Sequence, residues 1–167
     1  MIPRVDAPQN EWSSVPNLNR SPSASNPHAN VGHGTYEAII DQAPVGILLL
    51  DAHLRFQHVN PKAAPVFGDV GPLVGRELIE ILRFQWPEGI AQEVLRRFQH
   101  TLETGEPFIE KGFTGERQDR NAVEYYDWEL HRLTLPDGQL GVVCYFIDIE
   151  EHIHAQEALR RSEQELR

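Results

Sequence analysis

At 167 residues, 40% hydrophobic and 24% charged, the chain has the size and composition of one globular domain with appendages. Its 15 basic and 25 acidic residues give a formal charge of −10, which repels phosphate backbones and anionic membrane surfaces and argues against nucleic acid and membrane partners. A single cysteine, Cys144, excludes an internal disulfide framework and a multi-thiolate metal site. The longest apolar runs, "VGILLL" and "LGVVCYFI", fall far short of the roughly 20 residues of a membrane span, so a cytoplasmic, reducing setting is expected.

Residues 1–34 hold five Pro, five Ser and five Asn without helical or strand periodicity, the composition of a disordered tail. Order is expected from residue 35. In "TYEAIIDQAP", Tyr36, Ile39 and Ile40 stand at helical spacing and Pro44 ends the pattern, which predicts a short helix. "GILLLDAHLRFQHVN" predicts a hairpin, Gly46 to Asp51 and Arg55 to Asn60, turning at Asp51, Ala52 and His53. Asn60 before Pro61 signals a helix start, and Pro65 keeps that helix brief. Gly71 to Thr104 is expected to be helical. Its longest helix is marked by Ile90, Val94, Leu95, Phe98 and Leu102, with Gly105 as C-cap. The period then changes to two. "PFIEKGFTGERQ", "VEYYDWELHRLTL" and "QLGVVCYFIDI" predict three strands, the last two joined by a turn at "PDG".

Two strands, several helices and three strands predict an α+β domain: a five-stranded antiparallel sheet with helices on one face. Both faces of "GVVCYFI" are apolar, so something must cover the outer face as well: the first helix, the helix after Asp148, or a second copy of the chain.

The stretches "IIDQAPVGILLLD", "FQHVNPKAAPVFG", "DWELHRLTLPDGQLGVV" and "YFIDIEEHIHAQEALRRSEQELR" together resemble the PAS family of sensory domains, from about Tyr36 to Arg167. The resemblance implies a sensor domain over 35–149 and a C-terminal signalling helix over 150–167. That helix is similar to the connector which, in this family, runs toward a histidine kinase, a cyclase or another PAS domain. Glu150 stands where the family's strand-to-helix motif has Thr. Asp148 and Ile149 are then the signal-relay residues, with Glu151 placed as the far side of a capping box.

The resemblance leaves the ligand open. Photoreactive flavin members carry a helical cysteine, whereas Cys144 falls in the last strand, so a covalent flavin adduct is excluded. Haem members carry a histidine on the long helix at a position matching Glu93 and Val94, so haem is not expected. His100, one turn from the helix end, reads as a surface or capping residue. His58, Phe98, Trp128, Leu130 and Cys144 are the candidate residues of a cavity between sheet and helices, with His131 another possible border and Tyr126 sharing the face of Trp128. His152 and His154 are two apart on a helix and diverge, so no metal site is expected.

No Gly-x-Ser-x-Gly elbow, HExxH or DxDxDG spacing occurs, and no catalytic residue is assigned. A small acid–base enzyme of cone-like fold is the rival reading and needs Asp127 or Glu129 buried in the cavity. A structural dimerisation module is the other. In the terminal helix, His152, Ala155, Leu159, Ser162 and Leu166 follow a three-four spacing, a short coiled-coil seam that needs a partner helix. The reading is a signal-sensing module that forms a parallel homodimer, takes a small-molecule ligand and acts on a signalling effector domain or protein.

Overall fold

The computed structural model describes residues 29–167, so the expected tail falls almost wholly outside the described residues. In chain order the elements are α1 (Ala29–Asp41), β1 (Gly46–Leu50), β2 (Phe56–Val59), α2 (Ala64–Phe67), α3 (Leu78–Gln85), α4 (Glu88–Thr104), β3 (Phe108–Arg117), β4 (Ala122–Thr134), β5 (Leu140–Asp148) and α5 (Glu150–Glu165). The strands form one antiparallel sheet in the order β2-β1-β5-β4-β3. This is the five-stranded sheet that the alternation predicts. The helix α1 starts at Ala29, upstream of the expected Tyr36.

The sheet's inner face is built by alternation. Leu48 pairs with Cys144 and Leu50 with Val142, and across the next ladder Trp128 meets Phe146 and Leu130 meets Cys144. All these side chains point to one side. Onto them pack Leu78, Ile81 and Leu82 of α3 and Ala91 and Phe98 of α4, residues repeating every three or four positions. Leu50, Phe56, Ile81, Leu130 and Val142 are fully buried, and they centre the core where the first and last strands adjoin.

Local chemistry sets the boundaries. Asp51 closes the first hairpin, its Oδ1 accepting from the backbone amides of His53 at 2.8 Å and Arg55 at 3.0 Å. Those bonds hold Leu54 at φ +53°, a left-handed conformation rare for leucine, which places its side chain in the core. The helix α4 ends at Gly105, whose φ of +76° suits a residue without Cβ and whose N–H reaches the Thr101 carbonyl at 2.9 Å. Arg132 from β4 donates to the open carbonyls of Leu102 and Glu103, both at 3.2 Å.

Two expectations are corrected. Gly71 to Glu77 is a loop and not part of a helix, held by the Arg76 guanidinium on the Val70 carbonyl at 2.6 Å and by backbone bonds to Phe56. The helix expected from Asn60 begins later: Asn60 does accept from the Ala63 amide at 3.0 Å, but a turn fills 61–63 and α2 begins at Ala64, with Pro65 inside its first turn, where a proline has no amide to waste.

Candidate functional site

Between the inner face of the sheet and α2, α3 and α4 lies a cavity of about 90 Å³. Its sheet wall is Leu48, Phe113, Tyr126, Trp128, Cys144 and Phe146; its helical wall is Val66, Phe67, Leu78, Leu82, Gln85, Trp86, Val94 and Phe98. The aromatic rings brace one another. Trp128 stacks on Phe98 with centroids 6.3 Å apart and meets Phe108 at 4.8 Å, and Trp86 meets Phe113 edge-on at 5.6 Å. The Phe146 ring lies against the Gly46 backbone so closely that a Cβ there would sit 2.4 Å from it, which explains a glycine opening β1.

The polar groups of the wall are engaged. Gln85, almost fully buried, donates from Nε2 to the Val66 carbonyl at 3.0 Å, and Trp128 donates from Nε1 to Glu110 at 3.2 Å. The Tyr126 hydroxyl donates to Glu124. Burial, and then the hydrogen bond and charge of Glu124, push that phenol well above its ordinary pKa. Burial, and then the charge of Glu129, likewise push up the Cys144 thiol, which is held protonated and unreactive.

One end of the cavity rests on an ionic cluster. Arg117 has no exposed side-chain surface; its guanidinium makes a forked pair with Asp119 at 2.7 and 2.6 Å, reaches Glu124 at 3.1 Å and lies 5.3 Å over the Trp86 ring. Burial works against the charge on Arg117, but the hydrogen bonds it donates to Asp119 and the charges of Glu124 and Asp119 outweigh it and raise its pKa. Burial also opposes the charge on Asp119, and Arg117 again prevails, holding that carboxyl below the usual range. The same hairpin is tied to the helices: Gln118 donates to the Arg83 carbonyl at 2.6 Å, and Arg120 to the Pro65 carbonyl at 2.5 Å.

Of the sequence candidates, Phe98, Trp128 and Cys144 line the cavity. Trp128 is half-buried and packs against the core. Leu130 does not line it; it is fully buried one rung away, between Phe108 and Cys144. His58 and His131 do not line it either, because both stand at outward-facing register positions. His58 pairs with Asp41 at 3.1 Å, and His131 with Glu129 at 3.4 Å. Asp127 and Glu129 share that outer face, where Asp127 accepts from the Gly112 amide at 2.8 Å at a β-bulge, so neither supplies the buried acid of the enzyme reading. His100 is exposed and pairs with Glu106 at 3.0 Å.

Sequence reasoning missed the cluster at Arg117, Gln85, Trp86 and the hub at Asn60. Asn60 is fully buried and accepts from the amides of Ile47 and Ala63 while donating to the carbonyls of Ile40 and Val45, at 2.9 to 3.0 Å. It joins the end of α1, the start of β1 and the approach to α2.

At the other end, β5 passes into α5 with Ile149 alone between them. Asp148 Oδ1 accepts from the Glu150 amide at 2.9 Å, and the Ile149 amide donates to the Tyr125 carbonyl at 3.0 Å. The expected reciprocal capping box does not form among the described residues: Ile149 is the N-cap, one residue later than Asp148, which puts Glu151 out of register. The His154 ring instead meets the Tyr125 ring edge-on at 6.2 Å. Along α5 only Ile153 is partly buried; Ala155, Leu159 and Leu166 are exposed. Among the described residues no helix is long and apolar enough to cross a membrane.

Comparison with known proteins gives a consistent picture. Residues 40–153 match the family described as PAS fold. The PAS domain of Bordetella pertussis BvgS superposes with a TM-score of 0.57 at 17% identity, covering 81% of this chain and 99% of that one. The PAS domain of nitrogen regulation protein NR(II) from Vibrio parahaemolyticus gives 0.52 at 17% identity over 68% and 97%. Vibrio cholerae VqmA gives 0.56 at 15% identity over 71% of this chain, and the match spans about half of VqmA, 52%. No curated protein matches in sequence.

Proposed function

The chain belongs to the PAS fold family, and from that premise we propose that it is a cytoplasmic signal-sensing and interaction module without catalytic activity of its own, working as a homodimer whose α5 passes the state of the cavity to an effector. One observation carries this reading. Cys144 and Phe146, which line the cavity, lie on the strand that ends at Asp148 and passes through Ile149 into α5 at Glu150, so a change of packing at the wall is four to six residues from the helix. A strand bonded on both edges moves as a body, and Ile149 is further fastened to β4 through Tyr125. The signal then has a short, stiff route.

The dimer is supported by what α5 leaves unburied. Leu159 is 63% exposed and Leu166 85%, and an isolated helix of 16 residues is marginal in water, so this seam gains stability only from a second helix. VqmA is also described in a complex with ligand and DNA; here the charge of −10 gives the domain no attraction for phosphates, and any action on nucleic acid would be left to an effector. Sedimentation velocity at micromolar concentration tests the reading. The wild type is expected to sediment as a dimer and Leu159→Asp as a monomer with unchanged circular dichroism at the sheet wavelengths; a wild type that stays monomeric at every concentration overturns it.

A further inference from the structure

The sensing reading, on which this inference rests, leaves open how α1 is held, and the helix has one permanent anchor and one that depends on a proton. Asn60 is the first: wholly buried, it donates from Nδ2 to the Ile40 carbonyl at 2.9 Å, and an amide does not titrate. His58 is the second, with Nε2 3.1 Å from Asp41 Oδ1 on the outward side of β2. The two side chains are 34% and 46% exposed, so a proton reaches the pair without unfolding.

The end of α1 carries no positive charge of its own. Asp41 closes the helix, no basic residue stands in the last turn, and Glu37 lies one turn earlier on the same side. These carboxylates gather at the end where the helix dipole is already negative. Among the described residues the one ion pair of Asp41 is with His58. A neutral His58 gives it an ordinary hydrogen bond, whereas the charged imidazole gives a charge-assisted one and opposes the dipole as well. Other charges around His58 are already engaged. Its row across the outer face runs through Leu49 and Val143 to His131, which pairs with Glu129 at 3.4 Å. On its own hairpin, Asp51 is taken by Gln57 and by two backbone amides. A helix of 13 residues is marginal in water, and Tyr36 and Ile39 are exposed, so the anchors at its root matter. Histidine is the side chain that changes charge between pH 8 and 5. We propose that His58 and Asp41 form a proton-operated clasp. With His58 charged, α1 is fastened in the pose that offers Tyr36 and Ile39 to a second copy; with His58 neutral, the end of the helix loosens and the dimer weakens.

Hydrogen exchange over residues 34–43, corrected for the intrinsic pH dependence of exchange, reads the clasp directly. It is measured on the full-length Leu159→Asp chain, so that association does not intervene. Protection is expected to be about threefold to tenfold higher at pH 6 than at pH 8, the size of an exposed ion pair combined with a cation at a helix end. His58→Gln keeps a hydrogen-bond donor without the charge and should be equally protected at both pH values. Asp41→Asn should behave alike and stands in should Gln disturb β2. With Leu159 intact, sedimentation follows the consequence: the dissociation constant should rise from pH 6 to pH 8 by at least threefold more in the wild type than in His58→Gln. That comparison cancels whatever His131, His152 and His154 contribute. Equal protection of α1 at both pH values, or a pH dependence that survives both substitutions, overturns the clasp. A clasp seen by exchange whose loss leaves the dissociation constant unmoved overturns its link to the dimer. A wild type that is monomeric at every pH overturns the sensing reading, and exchange in the monomer judges the clasp separately.

Discussion

The two faces of the sheet differ in how completely this chain satisfies them. On the inner face, Leu48, Leu50, Leu130, Val142 and Cys144 are buried under α3 and α4, and the polar groups at the cavity edge are paired. On the outer face Ile47 and Val143 are buried and Leu49 and Tyr145 partly so, but Ile109 and Ile147 are 59% and 48% exposed. The helices at the two ends continue that deficit: Tyr36 and Ile39 on α1 and Leu159 and Leu166 on α5 all face solvent. Stability therefore resides on one side of the sheet and unmet association on the other. Substitutions should separate accordingly, those inside changing the folding free energy and those outside changing the assembly.

The sharpest contrast comes from Phe56. It is fully buried and meets Phe67 edge-on at 5.6 Å, so Phe56→Ala should cost about 3 to 5 kcal/mol in denaturant melts. A loss under about 1 kcal/mol would mean that the inner core tolerates a cavity and would blur the distinction between the faces. Trp128→Ala is expected next, at about 3 kcal/mol, because its ring contacts Phe98, Phe108 and Phe113 although part of it remains exposed.

The ionic cluster gives the inner side a pH signature. Asp119 has a folded pKa below its ordinary value, so its contribution is fully present above about pH 4, the unfolded-state value, and is lost as the pH falls through the lower folded value. Wild-type stability should fall on acidification below about pH 4. Asp119→Asn should be destabilised at neutral pH and show a flatter acid limb. An acid limb of unchanged slope in the variant would assign the pH dependence to other carboxylates.

What could be read from the residues follows the same division. Strand alternation and the three-four spacing of Ile90, Val94, Leu95, Phe98 and Leu102 report one face against another, and so the sheet, α4 and its stop at Gly105 were legible. Phe98, Trp128 and Cys144 were found because they are apolar residues on the inward phase. His58 and His131 were misplaced because chemistry drew attention to them while their register points outward. Arg117 has its partners close by, Asp119 and Glu124 standing two and seven residues on, but nothing in that polar window marks the guanidinium as buried over Trp86, and the partner of Gln85 lies on another helix that only the fold brings near. Asn60 was noticed as a helix start, yet three of its four bonds go to Ile40, Val45 and Ile47, long-range contacts that no window of sequence displays.

The smallest expected effect on folding tests the outer side. Tyr36 and Ile39 of α1 are 68% and 63% exposed, so replacing both with Ser removes little surface that this chain itself buries, and the monomer's stability should change by less than about 0.5 kcal/mol per site. Dimerisation is where the double variant should be felt. The helix α1 ends at Asp41, which pairs with His58 on the outward side of β2, and Asn60 fastens Ile40, so the helix leaves the sheet at a fixed point with its apolar residues free. If those residues meet a second copy, sedimentation of Tyr36→Ser with Ile39→Ser should show a dissociation constant raised at least tenfold, and combination with Leu159→Asp should leave only monomer. A double variant that melts far below the wild type at concentrations where both are monomeric would place these side chains against their own domain, and the exposed face of α1 would then be no measure of what the dimer buries.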